Sequence, residues 1–270
     1  MTLKIGFTAT HSENKPQTAE DRAPRQTAPK KSVVQVFFAA RNRTLAYYND
    51  QFDLHPGDIV FVDGKLEDLR GQVTEVCYNF RIRLTDYKRV IAVADTEVKG
   101  RFFTAGSHFV TFDPTALPPE KAVTWFKAPD GEDEEFVCGS DDTAFRLDDL
   151  KTMKADIDVM ERGHEYYAEN RVRYLCLNGG RGYAIVEGRE GYEAEFAYDN
   201  GEIRNLTCSC FCGGVCKHGF AAMLQLRETL ERIETHYAEK YAESGFFAAV
   251  DRGTLLSFVL DSKETAGFTL

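Results

Sequence analysis

No stretch of about 18 consecutive apolar residues occurs in the 270-residue chain, so the sequence offers no transmembrane helix. The opening Met1-Thr2-Leu3-Lys4-Ile5-Gly6-Phe7 lacks a charged segment followed by an apolar core, so no signal peptide is expected. A basic surplus is missing too. The chain has 33 Lys and Arg against 43 Asp and Glu, a formal net charge of −10. Dedicated nucleic-acid clamps usually carry the opposite balance. Gly179-Gly180-Arg181-Gly182 lacks the Lys-Ser/Thr ending of a phosphate loop and runs into a strand rather than a helix. Val62-Asp63-Gly64-Lys65-Leu66 fails likewise, because Leu66 cannot ligate Mg²⁺. Neither Gly-x-Ser-x-Gly nor His-Glu-x-x-His is present. No constellation of side chains points to an enzyme.

What is present is ample core material. Hydrophobic residues make up 43% of the chain, with 20 Phe and 12 Tyr, and the length leaves room for about two domains. Residues 1–30 are rich in Thr, Pro, Gln, Lys and Glu and read as a disordered tail. From Ser32 the chain turns β-branched and aromatic. Short runs at 33–38, 44–48, 59–62, 71–78, 80–84 and 90–93 are separated by turn residues such as Pro56-Gly57 and Asp63-Gly64. The spacing predicts a small, half-open β-barrel over residues 31–112. Arg81 and Arg83 alternate with Phe80, Ile82 and Leu84, which would set both arginines on a solvent face. Acidic and basic residues balance over this stretch, so an ordinary polar face is the simpler account of them.

Residues 113–160 read as an acidic linker with a short helix. The linker carries Asp130-Gly131-Glu132-Asp133-Glu134-Glu135 and the pairs Asp141-Asp142 and Asp148-Asp149. A solvated loop is favoured there, and a partner-binding or nucleic-acid-mimicking segment is the alternative. Leu150, Met153, Ile157 and Met160 recur at helical spacing over residues 148–162. Four strands then follow, with the hairpin signal Asn200-Gly201 before the last. From Cys216 onward Phe220, Met223, Leu224, Leu230, Ile233, Tyr237 and Tyr241 define an amphipathic helix stopping near Ser244-Gly245. The apolar stretch 246–270 has no period that places it. The fold class is therefore α+β: an N-terminal barrel-like domain, an acidic linker, and a β-meander plus helix.

Four of the seven cysteines, Cys208, Cys210, Cys212 and Cys216, lie within nine residues, and His218 closes the run. Thiolates this crowded repel one another or oxidise unless a cation holds them. With no export signal, a reducing, cytoplasmic setting and metal ligation are favoured over disulfides. Cys208, Cys210, Cys216 and His218 would supply three sulfurs and one imidazole nitrogen, a tetrahedral set suited to one structural Zn²⁺ per chain. Cys212 is a possible fifth donor, because in an extended segment it shares a face with Cys208 and Cys210. Cys216 is favoured over it, since Cys-x-His at a helix start fixes two ligand directions. Cys77, Cys138 and Cys176 are scattered and read as buried thiols or bystanders, and the remaining histidines as ordinary surface or core residues.

The spacing Cys-x-Cys, five residues, Cys-x-His resembles the SWIM zinc finger. Arg162-Gly163-His164-Glu165-Tyr166-Tyr167, then Arg171-Val172, a glycine turn and an acidic hairpin extend the likeness upstream. The form it is similar to is the bacterial one found beside Swi/Snf-type helicase-like ATPases, and the likeness covers residues 161–245. The resemblance implies a structural zinc module that binds DNA or RNA, or docks a protein such as a helicase-like ATPase, without enzymatic activity. Lys217, Arg171, Arg173, Arg204 and Arg227 are the cations expected to meet phosphates.

Overall fold

The computed structural model describes residues 31–128, 138–139, 144–260 and 267–269. The expected tail at 1–30 and the acidic run at 130–135 lie outside the described residues. Strands β1 (Ser32–Phe38), β2 (Arg43–Asn49), β3 (Ile59–Val62), β4 (Gly71–Cys77) and β5 (Val90–Val93) form an antiparallel sheet in the order β2-β1-β4-β3-β5. Strand β1 alternates buried and half-buried residues along its whole length, with Val34, Val36 and Phe38 inside. The sequence located the strand by its β-branched and aromatic run rather than by alternation.

The sheet is open, not a closed barrel. Its edge strands approach at one parallel bridge between Tyr48 and Arg89, where Tyr48 N–H donates to the Lys88 carbonyl at 2.9 Å. The alternating segment expected as a strand at 80–84 has no strand partner. It is irregular up to a 3₁₀ turn at Leu84–Asp86, so Arg81 and Arg83 share no strand face. Phe80 instead packs edge-on to Tyr48, with ring centroids 6.1 Å apart.

Strand β6 (Lys99–Arg101) pairs with a C-terminal strand described below. Strands β7 (Phe103–Ala105) and β8 (His108–Thr111) leave the first sheet altogether. The expected grouping of 31–112 is corrected here: β8 pairs with a strand more than a hundred residues later in the chain. Helix α1 (Pro119–Val123), strand β9 (Cys138–Gly139) and strand β10 (Ala144–Arg146) follow. The single helix expected over 148–162 is two elements. A 3₁₀ turn at Leu150–Met153 ends at Lys154 in the left-handed region (φ 54°), and helix α2 (Ile157–Ala168) starts afresh.

The meander is as the sequence implied: β11 (Val172–Asn178), β12 (Arg181–Glu187), β13 (Gly191–Asp199) and β14 (Glu202–Cys208). Asn200 and Gly201 both take positive φ, which the tight hairpin turn between β13 and β14 requires. Helix α3 (Lys217–His236) breaks at Tyr237 before α4 (Ala238–Ser244). Strand β15 (Phe246–Asp251), helix α5 (Arg252–Leu260) and strand β16 (Gly267–Thr269) complete the chain, and β16 pairs in parallel with β6.

Strand β15 is buried at all six positions and inserts between β11 and β8, at the centre of a nine-stranded antiparallel sheet. That sheet runs β10-β14-β13-β12-β11-β15-β8-β7, with β9 also on β14. Both of its faces are covered. Leu175 and Leu177 of β11 face α3 through Phe220, Ala221 and Leu224, while Tyr174 and Cys176 face Trp125 and Phe258 on the other side. On the α3 side, Gly163 lets α2 cross closely: a methyl group there would stand 2.6 Å from Phe220 Cδ1. The two sheets are joined by charge. Arg70 before β4 donates to Glu187 Oε1 at 3.2 Å, and Arg173 bridges Glu187 Oε2 at 2.7 Å and Asp251 Oδ1 at 3.1 Å.

Candidate metal centre

The meander and the following helix bring four donors to one point. Cys208 is the last residue of β14, held in register opposite Ala194 of β13. The ladder continues one step, with Ser209 N–H donating to the Glu193 carbonyl at 2.9 Å, and this directs Cys210 back toward the helix. Cys216 is the N-cap of α3, and its sulfur accepts from Gly219 N–H at 3.3 Å. That contact satisfies one of the orphaned donors of the first turn and fixes the thiol's direction. His218 follows within the same turn.

The ligand atoms of Cys208, Cys210, Cys216 and His218 all lie within 4.8 Å of one another, and all four residues are buried. Nδ1 of His218 stands 3.9 Å from both Cys208 Sγ and Cys216 Sγ. Donors around a tetrahedral Zn²⁺, with bonds of about 2.0–2.3 Å, are separated by roughly 3.5–3.8 Å. The group could therefore hold a metal ion after contracting by at most about 1 Å at its widest pair. Without a cation the sulfurs compete for protons. Hydrogen bonding to Cys210 raises the Cys208 thiol far above its usual range, and the same contact with Cys208 holds Cys210 low. A divalent ion at the centre would replace those shared protons and satisfy all three sulfurs at once.

The imidazole is clamped from two sides. Tyr192 stacks on it at 4.2 Å with an interplanar angle of 15°, and Tyr166 meets it edge-on at 5.4 Å. With Nδ1 bound to an ion, Nε2 would carry the hydrogen. That atom is buried without a hydrogen-bond partner among the described residues. It faces Gly188, where an added Cβ would stand 3.4 Å away. Histidine ligands ordinarily donate this hydrogen to a second group. Here ring stacking takes over the orienting role.

Cys212 is exposed and stands outside the group of four. Of the cations expected to meet phosphates, Lys217 and Arg171 lie on the metal face, both over the Tyr166 ring at 4.6 and 4.9 Å. The others are elsewhere. Arg173 is engaged in the ion pairs with Glu187 and Asp251, Arg204 pairs with Glu202, and Arg227 lines a groove with Asp148 and Glu161. His108, read from the sequence among the ordinary surface or core histidines, is of the core kind. It is wholly buried in β8, its Nε2 donating to the Val172 carbonyl at 2.7 Å while Nδ1 faces the Ser107 hydroxyl at 2.9 Å. A lone histidine in a short apolar strand carries no signal for that. Among the described residues no helix is long and apolar enough to cross a membrane.

Fold and site thus define an α+β chain of two antiparallel sheets with a buried Cys₃His group at the start of its longest helix. No family model, no curated protein and no solved structure matches it.

Proposed function

We propose that the chain is a SWIM-type accessory factor in which one structural Zn²⁺ organises a face that binds nucleic acid. Cys208, Cys210, Cys216 and His218 would hold the ion, and four protein donors leave no coordination position for a substrate. When bound, the ion supplies a fixed link between the end of β14 and the first turn of α3. The observation that carries the nucleic-acid reading is the gathering of cations beside this link in an otherwise acidic chain. Lys217 and Arg171 flank Tyr166, and Arg162 is exposed on α2 one turn before it.

Labelled DNA titrated with the zinc-loaded chain should bind with an affinity that falls as salt rises, and Lys217→Gln should reduce the slope. Flat titrations at low salt would remove this reading.

A second reading, an adaptor that docks a helicase-like ATPase while zinc serves stability alone, rests on a different surface. Ile157 is 69% exposed beside Met160, Phe220 and Leu224, which line an apolar groove between α2 and α3. Copurification of an ATPase that survives nuclease treatment and is lost in Ile157→Asp would favour it.

A further inference from the structure

The loop between Cys210 and Cys216 carries Phe211, whose 80% exposure exceeds that of Tyr78 at 50%. It is followed by Gly213 and Gly214, where an added Cβ would meet nothing within 4 Å, so the loop projects from the body of the protein. Its two ends are Cys210 and Cys216, both in the metal-capable group, so a bound ion would fix the base of the projection. Behind it stands Tyr166, with Lys217 Nζ and the Arg171 guanidinium over its ring. Arg171 also pairs with Glu169, while Arg162 is exposed on α2.

A projecting ring bordered by a few cations suits an unpaired base better than a duplex. Duplex binding draws its strength from many phosphate contacts. This chain, at −10 overall, gathers only a few cations at the loop. Reading base edges in a major groove needs an exposed helix start. Here His218, Gly219 and Phe220 in the first turn of α3 are buried. Single strands ask for less: an aromatic platform that any base can stack on, with flanking positive charge.

Resting on the nucleic-acid reading above, we propose that the metal loop binds single-stranded nucleic acid, with Phe211 stacking on an unpaired base and Lys217, Arg162 and Arg171 meeting the adjoining phosphates. The zinc-loaded full chain is titrated by fluorescence anisotropy with a labelled oligothymidylate and with a duplex of equal length. The single strand should bind more tightly than the duplex. Phe211→Ala should weaken single-strand binding by about fivefold or more with zinc content unchanged, and Phe211→Trp should restore it. Equal binding by the wild type and Phe211→Ala, or a preference for duplex, overturns the stacking inference and leaves the broader nucleic-acid reading standing. Binding to neither probe overturns both. Loss of ATPase copurification in Phe211→Ala, with oligonucleotide titrations flat, would assign the loop to a protein partner instead.

Discussion

At the residue scale, the four donors are not equivalent to their neighbour. Cys216→Ala removes a sulfur and the N-cap acceptor of α3 together, and His218→Ala removes the nitrogen donor clamped by Tyr192 and Tyr166. Either variant should lose its zinc, whereas Cys212→Ala should retain one ion per chain, as read by metal analysis of the purified proteins. Undiminished zinc in the first two would refute the ligand set. This group was legible in the sequence because all its members are local in the chain, and because strand end, turn and helix start each have short-range signals. The surroundings were not. Tyr166 and Tyr192 reach His218 from separate elements, and Gly188 leaves room at Nε2 only in the folded chain.

At the element scale, α2 is fixed on α3 by the absence of a side chain. Gly163→Ala would place a methyl group 2.6 Å from Phe220 Cδ1, against a core that cannot yield freely. The expected loss is about 1–3 kcal/mol in urea unfolding, with zinc content intact. Helix α5 has its own device. Asp251 Oδ1 accepts from Thr254 N–H and from the Thr254 hydroxyl, both at 2.9 Å, and also receives Arg173. Asp251→Ala should therefore cost more than the ordinary cap value of about 1 kcal/mol, because Arg173 loses a partner. A smaller loss in the same assay would show the cap to be dispensable. Periodicity found α3, and turn residues bounding short β-rich runs found the four meander strands. Periodicity could not show the breaks at Lys154 and Tyr237. It also promoted residues 80–84 to a strand, because alternation alone says nothing about whether a neighbouring edge is available. Strand β15 was illegible for the opposite reason: buried on both faces, it shows no alternation to detect.

At the scale of the whole molecule, the large sheet is assembled from distant pieces, with β8 and β15 joining the meander across more than sixty residues of chain. Proximity in sequence therefore misassigned β7 and β8 to the N-terminal unit. The seam holds His108, whose pKa is lowered from 6.5 chiefly by burial, with Asp251 and Glu228 opposing and Arg173 assisting. In acid the unfolded chain takes up a proton that the folded chain refuses. Stability should accordingly fall as pH drops below about 6.5, and His108→Gln should flatten that part of the profile while lowering stability at neutral pH. An unchanged slope would exclude His108 as its source. The core shared by β11–β15 and α3 is built from side chains outside the ligand set. Metal loss should thus loosen the segment around Cys208 to His218 first and lower the melting temperature without abolishing the sheet.

The most direct test of the central claim is zinc content measured together with the thermal melt of the full chain, before and after chelation. One zinc per chain and a lower melting temperature once it is removed are predicted. A chain purified without metal, folded, and with a melt indifferent to both chelator and added zinc would contradict the account.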